Sequence, residues 1–211
     1  MEQTTTNFYT NGNAAATTAA NTDGSATEAA QKRFSFFLPP ASQVRPWRTM
    51  TVRQAYEYIT MNVDAMQQTH RLRQCSDPKE HARLKRSCFA FATFSGVFAY
   101  RADAGLSAHS QLLCLDFDHV GNAYRLHDLK CRLIGDPMLH TRLLFTSPSG
   151  DGLKWVIDID LSRCDHLTWF RAVRNYVDRT YHLLVDEKCC NVSRSCFLPH
   201  DASAYLGEER G

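Results

Sequence analysis

Leu143-Leu144-Phe145-Thr146-Ser147-Pro148-Ser149-Gly150-Asp151-Gly152-Leu153-Lys154-Trp155-Val156-Ile157-Asp158-Ile159 decides the fold. Two apolar runs, 143–147 and 153–159, flank a turn of Pro, Ser, Asp and Gly, which predicts a β-hairpin. Side chains alternate along a strand, so Leu153, Trp155, Ile157 and Ile159 share one face. Lys154, Asp158 and Asp160 take the other. Working outward, Leu112 to Asp118 reads as a buried strand, and Leu126, Leu129 and Leu133 predict a short helix stopped by Gly135 and Pro137. Beyond the hairpin, Leu167, Phe170, Val173, Val177, Tyr181 and Leu184 predict an amphipathic helix, and a β-like run surrounds Cys196 to Leu198.

Toward the N-terminus, Thr51-Val52-Arg53-Gln54 fits a capping box, and Val52, Tyr56, Ile59, Val63 and Met66 form the stripe of one helix. Short β-like runs follow at 89–94 and 97–100, separated by Ser95-Gly96. The expected class is α+β: a mainly antiparallel sheet with helices on one face. Residues 1–33, rich in Thr, Ala, Asn and Gly without apolar periodicity, predict a disordered tail, and 34–211 a single folded domain entered through an extended stretch at 34–46.

Composition excludes some classes of function. A formal charge of only +2 gives no global basic field, so any nucleic-acid contact must come from local patches. No apolar run reaches membrane-spanning length and no signal-peptide core opens the chain, which predicts a soluble, cytoplasmic protein without membrane contact. Eight cysteines without a secretory signal predict reduced thiols.

Three features carry chemistry. Asp116 and Asp118 alternate onto one face at the end of an apolar strand, roughly 6.5–7 Å apart. They are either solvated strand-end carboxylates or ligands for Mg²⁺ or Mn²⁺, whose charge would compensate theirs. The turn at Ser149, Gly150 and Gly152, with Lys154 after it, is either a phosphate cradle or an ordinary hairpin turn. Asp186 either completes the metal site or is a loop carboxylate. Arg194 either grips a triphosphate or a template phosphate, or pairs structurally, for example with Asp201.

The succession of these motifs resembles the archaeo-eukaryotic primase superfamily, and within it the VirE N-terminal-type domains of bacterial mobile elements. The resemblance rests on Leu84-Lys85, Thr93 to Phe98, His109-Ser110, Leu115 to His119, Ser147 to Lys154 and Asn191 to Asp201, and spans residues 45–206. It implies an RRM-like primase-polymerase sheet with Asp116 and Asp118 as the first metal motif, Ser149 to Lys154 as the second and Asp186 as the third. One departure is Lys154, where many superfamily members carry His. The implied activity is a metal-dependent nucleotidyltransferase using NTP or dNTP on a single-stranded template during replication of a mobile element. The VirE-type domains are often followed by a helicase-like region; this chain ends at Gly211, as a stand-alone version or a truncated copy, with any helicase supplied separately.

Two rival readings stand beside it. A non-catalytic nucleotide- or nucleic-acid-binding domain would keep the fold, and the basic stretch Arg71, Arg73, Lys79, Arg83, Lys85 and Arg86 is then a candidate phosphate contact or simply a solvated helical face. Cys189, Cys190, Cys196 and His200, with His182 in reserve, offer zinc-type ligands but no Cys-x-x-Cys spacing.

Overall fold

The computed structural model describes residues 32–209. In chain order its strands are β1 (Arg33–Phe37), β2 (Arg48–Thr51), β3 (Phe91–Thr93), β4 (Gly96–Phe98), β5 (Leu106–His109), β6 (Leu112–Phe117), β7 (Thr141–Thr146), β8 (Leu153–Asp158), β9 (Cys196–Phe197) and β10 (Tyr205–Leu206). The helices are α1 (Val52–Met61), α2 (Val63–Gln74), α3 (Pro78–Cys88), α4 (Ala123–Ile134) and α5 (His166–Tyr181). The strands form two four-stranded sheets, β2-β1-β3-β9 and β10-β7-β8-β6, and a β4-β5 pair, all antiparallel, so the fold is α+β. The predicted tail at 1–33 falls mostly outside the described residues. Arg33, assigned to that tail, opens β1 opposite Thr51.

The predicted hairpin is the centre of the second sheet. β8 lies between β7 and β6, and the succession β6-α4-β7-β8-α5 is that of a split β-α-β unit. One face, carrying Leu115, Phe117, Trp155 and Ile157, packs on Leu126, Leu129 and Leu133 of α4 and Phe170, Val173 and Val177 of α5. Trp155 is wholly buried, and its indole N–H donates to Thr141 Oγ1 at 2.8 Å.

The expectation of helices on one face of one sheet needs correction. The opposite face of the β6–β8 sheet is also covered: Leu112, Leu143, Phe145 and Val156 pack on Phe34, Phe36 and Phe94 of the first sheet and on Val52, Ala55 and Ile59 of α1. Burial on both faces explains why the β6 and β7 segments read as near-continuous apolar runs rather than as alternating ones. It also means that any charged side chain on the inner face lies between two layers.

The helix predicted across 52–66 is two. Thr51 and Gln54 make the expected capping box, but α1 ends before Asn62, whose Oδ1 accepts the Ala65 amide at 2.8 Å and caps α2. Val63 and Met66, counted in the apolar stripe, are exposed. In α5, Phe170, Val173 and Val177 are buried as expected and Leu167 faces solvent; Leu184, counted in the same stripe, lies beyond the end of the helix and is exposed.

Candidate active site

Strand register builds the site. β6 and β8 pair with Asp116 directly opposite Lys154, both on the inner face between the sheets. The Lys154 Nζ and the Asp116 Oδ2 meet in an ion pair, with side-chain exposures of 6% and 15%. Asp116 Oδ1 is buried and has no hydrogen-bond partner. Burial disfavours charge on both groups. For Lys154 the field of Asp116, followed by Cys196 and Asp118, outweighs that cost and holds the ammonium protonated. For Asp116 burial raises the carboxyl pKa above its ordinary value, with Lys154 opposing and Asp118 adding to the rise. Asp118 lies just past the strand end and is exposed.

The chain leaving α5 runs back along β6, where the Asp186 amide donates to the Asp116 carbonyl at 3.1 Å. Asp186 then caps a short 3-10 turn, with its Oδ1 accepting the Lys188 amide at 3.1 Å. Its other oxygen accepts from Arg194 Nη2 at 2.7 Å. Arg194 is placed by β9, which pairs with β3 of the other sheet, and by the Arg194 amide donating to the Asn191 carbonyl at 3.0 Å. The anticipated Arg194–Asp201 pair is therefore not formed. Asp201 is buried against Lys130 at 2.7 Å and also accepts the Thr146 amide. Burial works against the Asp201 carboxylate, but Lys130 and these donors outweigh it and hold its pKa well below the ordinary range.

These residues enclose a narrow cleft at the ends of the two sheets, lined by Asp116, Lys154, Arg194, Asn191 and the thiols of Cys114, Cys189 and Cys196. About 10 Å³ of it takes the centre of a water molecule, room for one water-sized occupant. Lys85, on α3, lies within electrostatic reach of Asp116. Burial, with Asp116 and Asp186 adding to it, pushes the Cys189 thiol up to about 12, so it carries a proton at neutral pH in this cleft. Among the described residues no three His, Cys, Asp or Glu side chains stand together as a metal-holding group, neither Asp116, Asp118 and Asp186 nor Cys189, Cys190, Cys196 and His200.

The predicted phosphate cradle is placed differently. Gly150 donates its amide to the Ser147 carbonyl at 3.0 Å, and Gly152 donates to Ser147 Oγ at 3.2 Å, so both amides are used inside the turn. Gly150 has φ +86°, and a Cβ at Gly152 would overlap the Phe117 carbonyl oxygen. Arg73 clamps the turn from α2, donating to the Ser147 and Pro148 carbonyls at 3.2 Å each. Ser149, Gly150 and Gly152 form a hairpin turn docked on the Phe117 carbonyl and do not line the cleft. Of the basic stretch, Arg73 is committed to that clamp and Arg83 to Glu80; only Lys85 approaches the acidic pair.

Sequence reasoning also missed the part played by Arg101 and Asp103. Arg101 donates to Ser195 Oγ at 3.0 Å, and the Ser193 hydroxyl donates to Asp103, which fixes the loop carrying Arg194. No local pattern marks them, since both contacts join residues about ninety positions apart.

Fold and site together define an α+β domain with a polar cleft in which two carboxylates are each matched to a cation. The chain belongs to the family of BT4734-like N-terminal domains, whose model matches residues 83–206. That finding replaces the VirE N-terminal-type and primase-superfamily placement: the motifs that carried it fall largely within the matched segment, and each is a short strand-end or turn pattern that many antiparallel sheets can hold. Comparison with curated proteins and with solved structures gives no match. Among the described residues no helix is long and apolar enough to cross a membrane.

Proposed function

We propose that the cleft is the centre of a metal-dependent nucleotidyltransferase that adds NTP or dNTP to a strand on a single-stranded template. The observation that supports this reading best is the buried, unpartnered Asp116 Oδ1 beside Asp118 and Asp186. A buried anionic oxygen without a donor is costly unless a cation meets it. Asp116, with Asp118 and Asp186 drawn in by the charge of the ion, would hold Mg²⁺ or Mn²⁺, which favour hard oxygen ligands. A bound ion would supply charge neutralisation and orientation of a triphosphate.

The chain's own residues divide the remaining work. Lys154 offsets the Asp116 charge and fixes that carboxylate between the sheets. Arg194, 39% exposed, is the cation that a phosphate can reach from solvent, by exchanging with Asp186. The cleft takes one water-sized occupant, so a phosphate would meet Arg194 at its mouth, with base and sugar farther out. Acceleration would come from positioning and charge stabilisation rather than from a covalent intermediate.

The closed Lys154–Asp116 pair favours a second reading, a domain that binds nucleotides or nucleic acid without turning them over. Labelled NTP and dNTP, offered with Mg²⁺ or Mn²⁺ and a primed single-stranded template, separate the two. Incorporation into polymer supports transfer; saturable binding without incorporation supports the binder; neither result contradicts both.

A further inference from the structure

The loop between β1 and β2 projects Val44, Arg45, Trp47 and Arg48 into solvent, and the loop after β4 projects Tyr100. Trp47 is 58% exposed and Tyr100 48%, unusual for large aromatic side chains with no structural demand to be outside. The two loops are joined: the Arg101 amide donates to the Val44 carbonyl at 2.7 Å, and the Arg101 guanidinium donates to the Ala41 and Gln43 carbonyls. Trp47 is held at its base by Phe36, ring centroids 5.9 Å apart, with the Arg48 guanidinium 4.8 Å from its ring centroid. Among the described residues, neither Arg45 nor Arg48 has a carboxylate within ion-pair distance. The same Arg101 bonds Ser195 in the wall of the cleft, so this surface continues from the cleft mouth.

We infer that this surface is the track for a single-stranded nucleic acid, with bases stacking on Trp47 and Tyr100 and phosphates meeting Arg45 and Arg48. Exposed aromatic rings alternating with uncompensated arginines match the two faces of such a strand, a flat π-system and a repeating negative charge. A protein partner would also accept the aromatic rings, but two exposed arginines with no carboxylate in ion-pair distance, set beside two exposed rings, fit a polyanion better. The track is distinct from the basic face of α2 and α3, whose Arg73 and Arg83 are already engaged. Only its role as a template path rests on the nucleotidyl-transfer reading; the binding itself does not.

The test is anisotropy of a labelled single-stranded oligonucleotide with the full chain, run for wild type, Trp47→Ala/Tyr100→Ala and Arg45→Ala/Arg48→Ala. Each patch variant is expected to weaken binding at least about fivefold. The arginine variant is also expected to flatten the salt dependence. Circular dichroism matching wild type checks that the surface variants remain folded. Unchanged affinity in both patch variants overturns the inference, as does self-association through Trp47 seen by sedimentation in place of oligonucleotide binding. Lost binding in the patch variants of a protein that incorporates no nucleotide upholds the track and removes the enzymatic reading.

Discussion

A carboxylate in the position of Asp116, between two packed sheets, is tolerable only with a cation beside it, and register provides Lys154. Lys154→Met leaves that charge buried and unpaired, and is expected to cost about 3–5 kcal/mol in urea unfolding. Adding Asp116→Asn should return most of the loss. A Lys154→Met effect below about 1 kcal/mol would show the pair to be energetically idle. His166 gives a second residue-scale expectation. It is buried beside His109, and burial first, then His109, bring its pKa down to about 4 from the ordinary 6.5, against Asp103 and Asp165. The unfolded chain takes up this proton more readily than the folded one, so stability is complete above about pH 6.5 and declines as pH falls toward 4. The decline is at most about 3 kcal/mol. His166→Phe should flatten the profile in that window; an unaltered slope would assign it to other groups. Residue types at the site were legible beforehand: Asp116, Asp118, Asp186, Lys154 and Arg194 all stood out. Their pairing was not, because partners such as Asp116 and Lys154 are set by strand register, which no local pattern records.

Among the elements, the 143–159 hairpin was readable because turn chemistry and alternation agree within one short segment. The turn has a further demand that appears only when it docks. Gly152 must be glycine because the turn rests on the Phe117 carbonyl at the end of β6, and Gly150 because its φ is +86°. Gly150→Ala is expected to cost about 1–2 kcal/mol from the left-handed backbone alone. Gly152→Ala should cost more and shift the end of β6, seen as altered amide chemical shifts at Phe117 and Asp118. Equal, small losses for the two variants would mean that the turn does not bear on β6. The helix at 52–66 misled for a related reason. Its apolar spacing runs through Asn62, yet the side chain of Asn62 starts a new helix in another direction, and a cap competes with periodicity where both are present.

At the scale of the molecule, the first sheet was the hardest feature to foresee. Its strands β2, β3 and β9 are short, and it gathers β1, β3 and β9 from distant parts of the chain. Their assembly turns what would be an open sheet face into an interior, and the cleft forms where the two sheets part. That placement puts Asp116, Lys154, Asp186 and Arg194 at one opening, with the Trp47 and Tyr100 surface continuing from it. The claim that this opening performs nucleotidyl transfer is tested most directly by Mn²⁺-dependent extension of a primed single-stranded template, comparing wild type with Asp116→Asn/Asp118→Asn. Extension by wild type is expected, with a loss of roughly hundredfold or more in the double variant, whose fold is checked by circular dichroism because Asp116→Asn leaves Lys154 buried without its partner. Undiminished extension by Asp116→Asn/Asp118→Asn would contradict it.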